Sequence, residues 1–262
     1  MQSGKIRVRK IVKVGALQVS YTRECETEHP MNTLLFLHGW SGSSGSWSRN
    51  IQGLKKVFDC VAVDLPGFSV SPKPDKVWGI EEYALFIRHF SKALNIERMA
   101  MVGKSFGGRV AILYASRWSE TLTHLILVAA AGVESKSLPT QVKIGAARVG
   151  GAFLSIFGFN ILTFFRRLYH KVVKVRPDVD DYKWGVKKRV TSTDLSRAAK
   201  SIRVPTLIVW GKEDDILPLR IGEKLSRLIR GSKFCLIPGG HNAHQECAEE
   251  FNAVVVKYCE EK

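Results

Sequence analysis

Short runs of β-branched and aliphatic residues alternate with helix-length stretches along most of this chain, and no other feature of the sequence narrows its fold so far. Ile6 to Val14, Leu17 to Tyr21, Leu34 to Leu37, Cys60 to Val63, Met99 to Val102 and Leu125 to Val128 read as strands. Between them Ser48 to Val57, Ile80 to Leu94 and Gly107 to Trp118 read as helices. The rhythm stops near Gly132 and resumes at Pro205. From there Thr206 to Trp210 and Lys233 to Ile237 read as two more strands, with helices over Leu219 to Ile229 and Ala248 to Cys259. Strands joined through helices pair in parallel, with both sheet faces covered. The expected fold is therefore α/β, a mostly parallel central sheet of about eight strands flanked by helices. Residues 1–132 and 204–262 would form its core domain. Residues 133–203, which carry no strand signal, would form a helical cap or lid.

A chain of 262 residues, 45% hydrophobic and 24% charged, buries enough surface to hold a rigid site without metal or disulfide. Its 40 Lys and Arg exceed its 24 Asp and Glu, a net charge of +16, which draws nucleic acid or anionic surfaces only where it is concentrated on one face. The balance over residues 133–195 is +7. A solvated basic face is the expectation there, with no nucleic-acid partner; peripheral contact with anionic membrane is the alternative. The same segment holds VGGAFLSIFGFNILTFF, Val149 to Phe165, without a charge. Its 17 positions are broken by Gly150, Gly151, Ser155, Gly158, Asn160 and Thr163, too short and too interrupted to span a bilayer. An apolar lid over a pocket fits better. Cys25, Cys60, Cys235, Cys247 and Cys259 are odd in number and scattered, which reads as reduced thiols. The first 21 residues contain no apolar core of a signal peptide, so the expected location is cytoplasmic.

The chemistry gathers around Gly103-Lys104-Ser105-Phe106-Gly107, which follows the strand MAMV and precedes the helix-like GRVAILYASRW. A G-x-S-x-G between strand and helix is a nucleophile elbow, a sharp turn that exposes the serine hydroxyl. Gly103-Lys104-Ser105 is also the tail of a phosphate-binding loop, but that motif needs a glycine where this chain has Arg98. A serine hydroxyl needs a base, and the base an orienting acid. Glu213, Asp214 and Asp215 follow the strand TLIVW, any of them a solvated loop charge or the acid. His241 follows Pro238-Gly239-Gly240 at the end of the strand KFCLI and is favoured as base over His244 because it follows the glycine turn directly. Strand ends of this kind line the ligand crevice of an open parallel sheet. His29, His89, His124 and His170 show no metal-ligand spacing, and neither metal nor cofactor is expected.

From about residue 6 to 260 these pieces resemble the α/β-hydrolase family, whose loop after the third strand carries a His-Gly pair, here His38-Gly39-Trp40. Its next loop reads close to Asp64-Leu65-Pro66-Gly67-Phe68. The resemblance implies Ser105 as nucleophile, His241 as general base and then acid, and Asp214, set by the spacing from Gly211, as the residue that fixes the imidazole tautomer. It implies the backbone N–H groups of Trp40 and Phe106 as the oxyanion hole, and His38 as a structural hydrogen-bonding residue beneath it. The family's usual second glycine after the phenylalanine is Ser69 here, and Lys104 stands where the family often has His, Asn, Gln or Tyr. Ser105-Phe106-Gly107-Gly108 also occurs in meta-cleavage carbon–carbon hydrolases, which commonly carry a tryptophan where this chain has Asn242.

The expected activity is hydrolysis of carboxylic esters through an acyl-enzyme. Phe153, Leu154, Phe157, Phe159, Leu162 and Phe165 would line the pocket for an apolar acyl group, or simply pack the lid on the core. Carbon–carbon, thioester or lactone hydrolysis on the same triad is the first alternative. A non-catalytic ligand-binding receptor or scaffold is the second, because a fold does not by itself specify an activity.

Overall fold

The structure, a computed structural model, describes residues 9–133 and 180–261. Eight strands form one sheet: β1 (Lys10–Val14), β2 (Leu17–Glu24), β3 (Thr33–Leu37), β4 (Asp59–Val63), β5 (Met99–Lys104), β6 (Leu122–Val128), β7 (Thr206–Gly211) and β8 (Lys233–Ile237). Their spatial order is β1-β2-β4-β3-β5-β6-β7-β8. From β4 to β8 every pairing is parallel, and β2 runs antiparallel to both β1 and β4. The fold is the expected one.

Because successive strand residues face opposite ways, β3 feeds two cores. Leu35 and Leu37 enter one, with helices α2 (Ile80–Ala93) and α3 (Phe106–Arg117); Leu34 and Phe36 enter the other, with α1 (Ser48–Leu54). Full burial of β3 and β4 explains why they read as unbroken apolar runs rather than alternating ones. β2 extends three polar residues beyond its expected end because Thr22 to Glu24 pair with β4, and Arg23 forks onto the Asp59 carboxylate. The helix expected over Ser48 to Val57 instead starts from a 3-10 turn at Ser44–Trp47 and ends at Leu54.

In the segment expected as a cap, residues 180–203 contain two helices, α4 (Asp181–Thr191) and α5 (Ser196–Ser201). Buried Arg109 of α3 donates to the Val190 carbonyl at 2.7 Å and also to that of Thr193, and Leu195 N–H donates to Gly132 O at 2.8 Å. These bonds fix the end of the segment on the core. The apolar run Val149 to Phe165, with the candidate pocket residues Phe153, Leu154, Phe157, Phe159, Leu162 and Phe165, lies outside the described residues. After β7 come α6 (Leu219–Leu228), then after β8 a one-turn helix, α7 (Ala243–Glu246), and α8 (Ala248–Glu260).

Candidate active site

Ser105 caps the C-terminal end of β5 with φ +50° and ψ −105°, a conformation that L residues avoid and keep only where the surroundings enforce it. The enforcement is visible. Its N–H donates to Val128 O at 3.0 Å, and its carbonyl accepts Arg109 N–H at 3.1 Å and Ala131 N–H at 3.4 Å. The motif glycines serve this turn by being small. A Cβ on Gly103 would lie 2.6 Å from Gly107 O, one on Gly107 would collide with Leu37 O, and one on Gly108 would lie 2.5 Å from Ala130 Cβ. Helix α3 is pressed onto β3 and the loop after β6, and Ser105 is left half-buried above them.

The acid and base come from the ends of β7 and β8, whose loops are stitched together by Lys212 N–H to Ile237 O at 3.0 Å and Glu213 N–H to Gly239 O at 3.1 Å. Of the three neighbouring carboxylates, Asp214 meets His241, with Oδ2 2.9 Å from Nδ1. Both side chains are buried, 1% and 8% exposed, which concentrates their interaction. Nδ1 is therefore the nitrogen that donates, leaving Nε2 to accept a proton. Burial lowers the His241 pKa; the bond to Asp214 opposes that, and the positive charge of Lys104 adds to it. The imidazole is neutral at neutral pH, as a base must be. The hydrogen bonds of this structure do not include one from Ser105 to His241, a contact that is often long in hydrolases without substrate.

Phe106, the first residue of α3, has an N–H with no carbonyl of its own helix to receive it. The loop carrying Trp40 is fixed by aromatic packing, with the Trp40 ring 5.6 Å from Phe106 and 5.2 Å from Phe68. His38 beneath it is fully buried. Its Nδ1 lies 2.8 Å from Gly39 O and its Nε2 accepts Leu65 N–H at 3.1 Å, so both nitrogens are occupied and burial keeps the ring neutral. His244 is buried against Trp47, ring centroids 4.5 Å apart, and burial lowers its pKa to about 3. With its ring between Trp47 and Phe251, His244 is a packing residue of the core.

Nothing in the sequence alone assigns Lys104 a role. Its side chain lies over Gly39, partly buried, and burial lowers its pKa to about 8. Its setting comes from the loop after β3, at Gly39, and from the loop after β8, neither of which is near it in the sequence. Among the described residues no group of three or more His, Cys, Asp or Glu is placed to hold a metal ion, and no helix is long and apolar enough to cross a membrane.

The sequence profile described as alpha/beta hydrolase fold matches residues 32–171. Pyrrolizixenacetamide deacetylase of Xenorhabdus hominickii is 28% identical over 255 residues, covering 92% of this chain and 94% of that protein. 2-Hydroxy-6-oxo-6-phenylhexa-2,4-dienoate hydrolase of Comamonas testosteroni is 23% identical over 87% of this chain and 88% of that one. Among solved structures, the enol-lactonase of Burkholderia xenovorans LB400 superposes with a TM-score of 0.75 at 20% identity, over 96% of this chain and all of that one.

Proposed function

The chain belongs to the alpha/beta hydrolase fold family, and from that premise we propose that it hydrolyses carboxylic esters through a Ser105 acyl-enzyme. Ser105 Oγ attacks the acyl carbonyl and passes its proton to His241 Nε2. Asp214 holds the imidazole and offsets the charge that forms on it. The carbonyl oxygen, now negative, is received by the N–H groups of Trp40 and Phe106, each such donor accounting for about 3 kcal/mol in comparable sites. The leaving alcohol takes the proton back from His241, and a water activated by the same nitrogen releases the acid.

The observation that carries the reading is the buried 2.9 Å bond between Asp214 and His241, on the sheet edge where the strained turn presents Ser105. Pure binding has no need of a neutral imidazole oriented by a buried carboxylate at the strand ends that also carry a serine elbow. Residues 133–203 act in this reading as a cap, and the apolar composition of Val149 to Phe165 supports an apolar acyl group. The free thiols suit a reducing cytoplasm.

A second reading, carbon–carbon hydrolysis, is supported by the Comamonas testosteroni relative and the shared Ser-Phe-Gly-Gly run. Asn242 speaks against it. The relative named for deacetylating an acetamide points instead to acyl transfer to water.

Initial rates on p-nitrophenyl esters from acetate to palmitate, for the wild type and a folded Ser105→Ala variant, test the proposal. Turnover lost in Ser105→Ala with a preference for longer chains supports it. Equal inertness on every ester overturns it in favour of carbon–carbon cleavage or ligand binding, and a peak at acetate removes the apolar acyl group. Co-sedimentation with anionic liposomes at low salt tests peripheral membrane contact by the basic segment.

A further inference from the structure

Lys104 ends β5, one residue before Ser105, and its side chain turns toward the oxyanion loop. A Cβ built on Gly39 would lie 2.8 Å from Lys104 Cδ and 3.2 Å from Nζ, so the stem lies directly against Gly39 and would have to shift for a larger residue there, and the ammonium stands next to the residue that precedes Trp40. Lys104 shares a cavity of about 100 Å³ with Trp40, Ser41, Ser46, Asn242 and His244.

The charged and titratable groups around it and around His241 come from three loops: His38 after β3, Asp214 and Asp215 after β7, and His241, His244 and Glu246 after β8. Two carboxylates that attract the ammonium are engaged elsewhere. Asp214 bonds His241, and Glu246 accepts Gly240 N–H at 2.7 Å. Among the described residues neither makes an ion pair with Lys104. What remains is a cation, partly stripped of water, between the oxyanion loop and the base.

We propose that Lys104 is a positioning residue of the hydrolytic site, whose stem packs against Gly39 and whose ammonium, in the cavity shared with Trp40, Asn242 and His244, adds positive potential between the oxyanion loop and the loop that carries the base. This rests on the reading of His241 as the general base. A nearby cation opposes protonation of an imidazole and favours a developing oxyanion. The two effects compete once His241 has taken the serine proton, but Asp214, 2.9 Å from the ring, offsets the imidazolium charge, so the net effect of the ammonium falls on the oxyanion. Burial lowers the Lys104 pKa to about 8, so the charge is present at neutral pH and fades just above it.

The test is an NMR titration of the His241 ring in the full chain, for wild type, Lys104→Met and Lys104→Arg. Lys104→Met keeps the stem and removes the charge. Its His241 midpoint should rise by about half a pH unit or more, while Lys104→Arg stays near wild type. The wild-type His241 signals should also show a second step near pH 8, as Lys104 deprotonates, which Lys104→Met lacks. On a hydrolysed ester, the acid limb of kcat/KM should move up by the same amount in Lys104→Met, with kcat about tenfold lower. An unchanged His241 midpoint in folded Lys104→Met overturns the proposal. If that variant does not fold, the wild-type step decides, its presence supporting the proposal and its absence overturning it. The titration needs no turnover, so failure of the esterase reading and failure of this one are told apart.

Discussion

Asp214 divides its two carboxylate oxygens between the imidazole and its own loop: Oδ2 lies 2.9 Å from His241 Nδ1, while Oδ1 accepts the N–H groups of Ile216 at 3.0 Å and Leu217 at 2.8 Å. The loop is anchored in turn by Trp210 Nε1 donating to Leu217 O at 3.0 Å. The carboxylate is thus aimed by backbone before it meets the histidine. Its neighbour Glu213 does different work, accepting Gly239 N–H at 2.6 Å and so holding the glycine turn before His241.

That division separates two substitutions. Asp214→Asn should lower kcat by about 10³ to 10⁴ with little change in melting temperature, because the amide keeps the volume but not the charge that orients and offsets the imidazolium. Glu213→Gln should cost less than about tenfold, because only an exposed turn contact is weakened. Steady-state kinetics with thermal melts on both variants check this, and equal losses would refute it.

Glycines at the elbow and on the surface should respond differently to alanine. Gly107→Ala drives a methyl into the Leu37 carbonyl and should destabilise the fold by about 3 kcal/mol or more. Gly231, at φ +78° with open space around it, should cost only about 1 kcal/mol of backbone strain. Urea denaturation measures both.

Ser69 is exposed and sits at φ +52°, in the place where the family's loop usually has its second glycine. The structure explains that glycine: the position is left-handed, and serine holds it under strain. Ser69→Gly should therefore stabilise the protein by about 0.5 to 1 kcal/mol, the strain relieved less the extra unfolded-state entropy. Chemical denaturation would show the gain, and a loss would count against the strain.

Acid should weaken the fold through three buried histidines and the half-buried His124. His38, His124, His241 and His244 all have pKa values lowered by burial, so the unfolded chain binds protons first as the pH falls below the usual histidine range. Their contribution is complete above about pH 6.5 and is lost as the pH falls toward each folded value. For His244, lowered to about 3, the loss between pH 8 and pH 5 is about 2 kcal/mol. His244→Gln should flatten the slope of stability against pH over that interval, whatever it does to stability at pH 8. An unchanged slope would show that His244 does not contribute.

Much of the fold was legible because its signals are local. β3, β5 and β7 announce themselves as apolar runs bounded by turns, and strands joined through helices have few ways to pair except in parallel. The spatial order was not legible: β4 lies between β2 and β3, a pairing set by contacts across the sheet rather than by neighbours in sequence. The last residues of β2 were missed for the same reason, since Thr22 to Glu24 owe their strand conformation to β4. The short helix Ala243–Glu246 gave too brief a pattern to read.

By itself the sequence determined the kind of sheet, the elbow at Ser105 and the placing of an acidic cluster and a histidine at the ends of later strands, because strand periodicity, glycine spacing and chain order are properties of neighbouring residues. The family resemblance pointed to Asp214 among its acidic neighbours, but only the tertiary structure supplied the contact by which Asp214 faces His241, the two hydrogen bonds that hold His38, the packing of His244 on Trp47 and the place of Lys104 over Gly39. Those outcomes depend on burial and on distances between side chains far apart in the chain, and adjacent carboxylates become chemically different only once two loops and a histidine ring have been brought together.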